Sequence, residues 1–201
     1  WQNQFRGKVS ELLGPHTPPA QWERERLSTE VFPEFTREEF LLKAKGMASL
    51  PVYALRPNPK RFGKGPFAIV LCLHGHGEFA HDAVVGIDHT PERAENIKKA
   101  NYDYARQLAV EGFLTIAPCM RPFGRRLDEG SRKSKTDACA VTFVRLMLLG
   151  ETLMGANLRD CKWALDFAAT LPDADIKRCG CVGLSYGGRM TMLTAAMDLR
   201  V

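Results

Sequence analysis

Apolar residues fall along this chain in short runs and helical repeats, separated by Gly, Pro and charge. Phe5, Val9, Leu12 and Leu13 recur at helical spacing and Gly14-Pro15 stops them, which predicts a helix over residues 1–13. Residues 16–30 are rich in proline and charge and read as a surface connection. Extended candidates follow at 35–45 and 51–56, divided near Gly46, and 56–66 form a turn-rich loop. Residues 67–73, Phe-Ala-Ile-Val-Leu-Cys-Leu, form a continuous apolar run of strand length, suited to a strand buried on both faces of a parallel sheet. One helix is expected over 95–111, carrying Ile97, Tyr104, Leu108 and Val110, and a second buried strand over 113–117. After a polar, basic loop over 119–137 come helices at 141–149 and 158–169. A turn at 172–175, a third strand at 178–183 and a helix at 187–197 complete the pattern. Strand and helix in alternation predict an α/β class: a mostly parallel sheet with helices on both faces, a three-layer sandwich.

The composition narrows the class without naming a function. The 201 residues are 45% hydrophobic and 25% charged, which fits one globular domain and excludes disorder or a fibrous repeat. No apolar run reaches the ~18 residues of a membrane-spanning helix, and no membrane partner is expected. The net charge of +5 is too small and too scattered to predict nucleic-acid binding. Six cysteines are too sparse for a disulfide scaffold, and Cys72, Cys179 and Cys181 lie in apolar runs as structural thiols. That usage fits a reducing, cytoplasmic compartment. The chain opens at Trp1, so the lack of a signal peptide says nothing of location.

The sharpest chemical signal is Gly183-Leu-Ser185-Tyr-Gly187, a G-x-S-x-G lying between an expected strand and an expected helix. Such a turn lifts the serine hydroxyl above the carboxyl edge of the sheet. It also puts the Tyr186 N–H at a helix N-terminus, where the dipole favours a developing negative charge. His74-Gly-His-Gly77 follows the first buried strand, and its His76 N–H is the candidate second donor of an oxyanion hole. Read as loop residues or metal ligands instead, His74 and His76 lack a third ligand at zinc spacing, so no metal is expected.

Together with the Ala105…Leu108-Ala…Gly112 helix-to-strand junction, these motifs resemble an α/β-hydrolase. Leu148-Leu-Gly-Glu-Thr-Leu-Met-Gly155, ahead of Asp160…Ala164-Leu-Asp-Phe167, resembles the acetyl-xylan-esterase-like and dienelactone-hydrolase-like branch. The likeness runs from about residue 45 onward. It implies hydrolysis of a small-molecule carboxylic ester, of an acetyl or other small acyl group, through an acyl-serine on Ser185, without metal or organic cofactor. Residues 1–30 then form an N-terminal helix and connection, and 31–201 the N-terminal portion of a single hydrolase domain.

In this fold the triad runs Ser, then Asp or Glu, then His. After Ser185 the chain offers only Asp198, expected as a surface residue at a helix end, and no histidine; His16, His74, His76, His81 and His89 all precede it. Residues 199–201 read as the start of a further strand. The C-terminal strands, the triad acid and its histidine are therefore expected beyond residue 201 or on a partner chain, with His76 as a poor substitute base. An open sheet edge would favour pairing with that missing part, a second chain or a second copy. A serine peptidase of prolyl-oligopeptidase type shares the elbow, though no blade-like repeat precedes residue 45; a non-catalytic hydrolase-fold fragment is the remaining alternative. Arg121, Arg125, Arg126, Arg132, Lys133 and Lys135 in the basic loop would favour acidic esters if they face the pocket, and form a solvated surface if they do not.

Overall fold

The computed structural model describes residues 1–134 and 137–201. Helix α1 (Gln2–Leu13) ends as expected where Gly14 takes a φ of 72°, and it buries only Leu13. Strands β1 (Glu23–Val31), β2 (Phe35–Lys43) and β3 (Leu50–Pro57) then pair antiparallel in chain order. β1 corrects the surface connection expected over 16–30, and a boundary at residue 30 would cut through it. All nine of its residues are exposed, so no apolar alternation marks it in the sequence. Its ladder to β2, with the Arg26–Glu38 and Lys43–Glu25 pairs across the strands, holds it as a charged edge.

Asn58 caps the short α2 (Pro59–Phe62), its side chain accepting from the Lys60 N–H, inside the loop expected over 56–66. β4 (Phe67–Leu73) has the bounds that its apolar run predicts. Three helices lead on: α3 (Ala80–Val84), α4 (Pro91–Ala100) and α5 (Tyr104–Val110). The single helix expected over 95–111 is thus two. Asn101 stands in the left-handed region at φ 49°, which asparagine tolerates, and the apolar spacing continues across the break and conceals it.

β5 (Leu114–Pro118) comes next. A 3-10 turn (Gly124–Arg126) and α6 (Glu129–Ser134) occupy part of the loop expected over 119–137. Asp137 caps α7 (Ala138–Leu148) and Thr152 caps α8 (Leu153–Ala169), which opens ahead of the expected residue 158. Gly155 in its first turn is there for room, since a Cβ would lie 2.1 Å from the Leu13 carbonyl oxygen, and the Thr152 hydroxyl donates to that same carbonyl. β6 (Ala174–Gly183) and α9 (Tyr186–Met197) complete the elements. Residues 199–201 do not open a strand: the Val201 N–H turns back onto the Asp198 carbonyl at 3.3 Å.

The six strands form one sheet in the order β1-β2-β3-β5-β4-β6. It is parallel across β5-β4-β6 and antiparallel from β1 through β3 to β5. Ile69, Leu71 and Leu73 face Trp163, Phe167 and Met190 on the side of α8 and α9, while Cys72 faces Val84 and Ala105 on the side of α3 and α5. Each such apolar side chain removed from water contributes about 1.5–3 kcal/mol, and both faces of β4 gain it. One register decides where the site lies. Leu73 pairs with Gly183, so the two parallel strands end side by side and deliver the His74 loop and the Ser185 turn to one point.

Candidate active site

Ser185 links β6 to α9 at φ 57° and ψ −115°, a conformation that residues with a side chain rarely adopt. The surroundings impose it. A Cβ on Gly187 would fall 1.9 Å from the Leu73 carbonyl oxygen, and one on Gly183 would fall 2.4 Å from the Gly187 backbone. Strand, turn and helix therefore pack closer than any side chain permits, which is the physical need behind the two glycines of the motif. Gly75 closes against the same turn: a Cβ there would meet the Leu184 carbonyl oxygen at 2.7 Å and the Ser185 Cβ at 3.2 Å.

The loop after β4 is held by side chains. His74 is fully buried, its Nε2 accepting from the Met120 N–H at 2.8 Å. Its Nδ1 is thereby the protonated nitrogen and donates to the Gly75 carbonyl at 2.8 Å. The Gly75 N–H donates to the Tyr102 hydroxyl at 2.6 Å. The His76 ring points elsewhere, edge-on to Phe123 and Tyr186, with Nε2 3.5 Å from the Cys139 Sγ. His74 and His76 thus diverge and share no ligand position. The backbone N–H groups of His76 and Tyr186 donate to no other described residue. The Tyr186 side chain is buried, its hydroxyl accepting from Asn157 Nδ2 at 2.8 Å, and Asn157 also clamps both backbone groups of Arg121.

Ser185, His76, Gly77, Phe79, Ala100, Tyr102 and Leu184 are among the residues that enclose a cavity of about 210 Å³. A larger cleft of about 890 Å³ adjoins it across His76, Gly77 and Phe79 and runs between Arg93, Phe123, Arg125, Arg132 and Cys139. The nucleophile candidate lines the smaller space. No imidazole bonds the serine: among the described residues the Ser185 hydroxyl makes no hydrogen bond, His16 is bonded to the Gly14 carbonyl, and His89 is exposed.

Asp198 stands at the end of α9 as expected, but it is buried rather than at the surface, held by a bidentate pair with Arg200. The basic loop also differs from both readings of it. Arg121 and Arg126 turn inward onto Asp160 of α8, and Arg125 pairs with Glu39 and donates to the Tyr53 hydroxyl. Lys133 pairs with Glu129. Lys135 lies outside the described residues; among the described ones Arg132, on the larger cleft, is the one cation of this loop without an ion pair. Buried carboxylates on β2 and α8 recruited Arg121, Arg125 and Arg126, and loop sequence alone does not show where those acids face.

Burial lowers the His74 pKa to about 4 from the ordinary 6.5 and outweighs the bond from its ring to Gly75; burial also lowers His81. The unfolded chain then binds more protons between those two values. Stability is fully present above pH 6.5 and is lost as pH falls toward 4, by roughly 3 kcal/mol from His74. Urea midpoints taken from pH 7 to 4 should fall in that window; a flat profile would show that these imidazoles charge without penalty.

The Dienelactone hydrolase family model matches residues 84–201. The proposed hydrolase YtaP of Bacillus subtilis (strain 168) is 28% identical over 200 residues, which cover 98% of this chain and 60% of that protein. A proposed acetyl xylan esterase from Bacteroides fragilis NCTC 9343 superposes with a TM-score of 0.83 at 19% identity, over 100% of this chain and 51% of its own. A glucuronoyl esterase from Solibacter usitatus gives 0.64 at 14%, over 100% of this chain and 56% of its own. An acetyl xylan esterase from Paenibacillus sp. R4 gives 0.60 at 15%, over 98% and 54%. At those identities the structures show a shared fold, the α/β-hydrolase fold. The chain spans between half and two thirds of the length of these relatives.

Proposed function

We propose that this chain, which belongs to the Dienelactone hydrolase family, carries the nucleophile and oxyanion hole of a serine esterase for short-chain carboxylic esters. The observation that carries the reading is the backbone of Ser185, held at φ 57° between two glycines that no side chain could replace and beside the Gly75 loop. Strain of this kind persists only where the surroundings enforce it.

The Ser185 Oγ attacks the ester carbonyl, and the His76 and Tyr186 N–H groups, which have no other acceptor among the described residues, hold the oxyanion. One such donor contributes on the order of 3–4 kcal/mol to the transition state. Collapse expels the alcohol and leaves an acyl-serine, which water cleaves. The histidine that takes the serine proton, and the acid that orients it, are proposed to follow residue 201, because none of the five histidines here reaches the hydroxyl. The 210 Å³ cavity, walled by Phe79, Ala80, Ala100 and Leu184, suits a short acyl group, while the adjoining cleft has room for a larger alcohol.

Two measurements on the full-length protein test this. A fluorophosphonate should add to Ser185, located by peptide mass. p-Nitrophenyl acetate should be cleaved with a kcat/KM at least tenfold above that of the octanoate. An adduct at another residue would refute the nucleophile, and equal turnover of both esters would refute the small acyl site.

A further inference from the structure

The break between α4 and α5 has a consequence at the site. Had the helix run unbroken through residues 95–111, Tyr102 would be one more position on its surface. The left-handed turn at Asn101 instead sends the Tyr102 ring inward, where the residue is 7% exposed and its hydroxyl meets the Gly75 N–H at 2.6 Å. The phenol oxygen and the Ser185 Cβ flank one point: a Cβ on Gly75 would stand 2.9 Å from the first and 3.2 Å from the second.

Gly75 has a peptide plane on each side, and a side chain grips each one. Tyr102 holds the plane before it through the N–H, and His74 Nδ1–H holds the plane after it through the C=O. In a trans peptide the carbonyl and the following N–H point in opposite directions. Pulling the Gly75 carbonyl toward His74 therefore turns the His76 N–H away from it. With both planes fixed, the φ and ψ of Gly75 are fixed too, and glycine is the residue most in need of such restraint.

We infer that Tyr102 is a positioning residue for ester hydrolysis, accepting the Gly75 N–H so that the His76 N–H stays aimed at the oxyanion. The inference rests on the serine-esterase reading of the site. It assigns Tyr102 no contact with the reacting atoms. Its loss acts through Gly75, whose buried N–H would turn in search of another acceptor and carry the next peptide with it.

In the full-length protein, Tyr102→Phe should lower kcat for p-nitrophenyl acetate ten- to a hundredfold and leave KM within about twofold. Removing an oxyanion donor outright costs about 10²–10³ in kcat, and a misaimed one costs part of that. Affinity for a trifluoromethyl ketone, whose adduct with the serine carries an oxyanion, should fall by the same factor, while affinity for product acetate stays unchanged. A merely structural role would not split the two ligands. Should the Phe variant fold poorly, 3,5-difluorotyrosine at position 102, assayed below the pKa of its acidified phenol so that the oxygen stays protonated, keeps the shape and weakens the oxygen as an acceptor, and should lower kcat in the same sense. A kcat and ketone affinity within twofold of the parent protein, in either variant, overturn the role of Tyr102. Turnover that survives Ser185→Ala overturns the site itself, and this inference with it.

Discussion

Replacing Ser185 with alanine is expected to lower kcat for p-nitrophenyl acetate in the full-length protein by on the order of 10⁴–10⁶-fold while leaving the fold intact. The magnitude follows from what remains. Without the hydroxyl no acyl-enzyme forms, and only the oxyanion donors and substrate binding persist, a residue of catalysis that is small beside the whole. The fold should survive because the Ser185 hydroxyl makes no hydrogen bond among the described residues that alanine would forfeit, and alanine has the same Cβ at φ 57°. Glycine at 185 makes an instructive companion. It should be as inactive as alanine but more stable, by about 1–3 kcal/mol, because it alone occupies that backbone region without strain. Thermal melts and ester turnover of both variants check the pair of claims. A stable alanine variant that keeps a tenth of its turnover would remove Ser185 from the chemistry.

What was legible in the sequence is what one chemical necessity writes locally. β4 was readable to the residue because a strand buried on both faces must be apolar throughout, from Phe67 to Leu73. The Ser185 turn was readable because its geometry admits only glycine at 183 and 187. β1 was not, since an edge strand with both faces wet carries no apolar period: Glu-Arg-Glu-Arg-Leu-Ser-Thr-Glu-Val looks like a surface link until it pairs with β2. The α4–α5 break was hidden for a related reason, as asparagine is an unremarkable helix residue until it turns left-handed.

The supports of the site were less legible than its centre. His76 and Tyr186 were found through their place in motifs, whereas Tyr102 and Asn157 act across 27 and 29 residues of sequence on Gly75 and Tyr186. Such partners follow from which elements the sheet brings together, and neither a tyrosine between helices nor an asparagine within one carries a local sign of it. The basic loop makes the same point with charge. Six cations close in sequence suggest a patch, but three of the arginines are spent on acids carried by β2 and α8.

One of those acids supports the second large effect. Asp160 lies on α8 at 1% exposure and accepts from Arg121 Nε at 3.0 Å and Arg126 Nη1 at 2.5 Å. Burial pushes its carboxyl pKa up, but the two guanidiniums outweigh that and hold it below the usual range, so the site keeps its charge at neutral pH. Arg126 is itself 6% exposed and also donates to the Cys119 carbonyl, which fastens the loop after β5 to the helix. Asp160→Ala should cost about 3–5 kcal/mol, since it leaves one buried and one half-buried cation with no anion. For a domain of this size the melting temperature should drop by on the order of 10 °C. Desolvating the three charges is itself expensive, so replacing all of them with leucine and methionine of similar volume should recover most of the loss. Function should follow the loop, because its Phe123 lines the larger cleft proposed for the alcohol, and KM should rise in Asp160→Ala more than kcat falls. Urea titrations of the single and triple variants, with ester kinetics on the single, measure both effects. A single variant costing under 1 kcal/mol would mean that packing of α8 against β5, and not this ion cluster, holds the wall of the cleft.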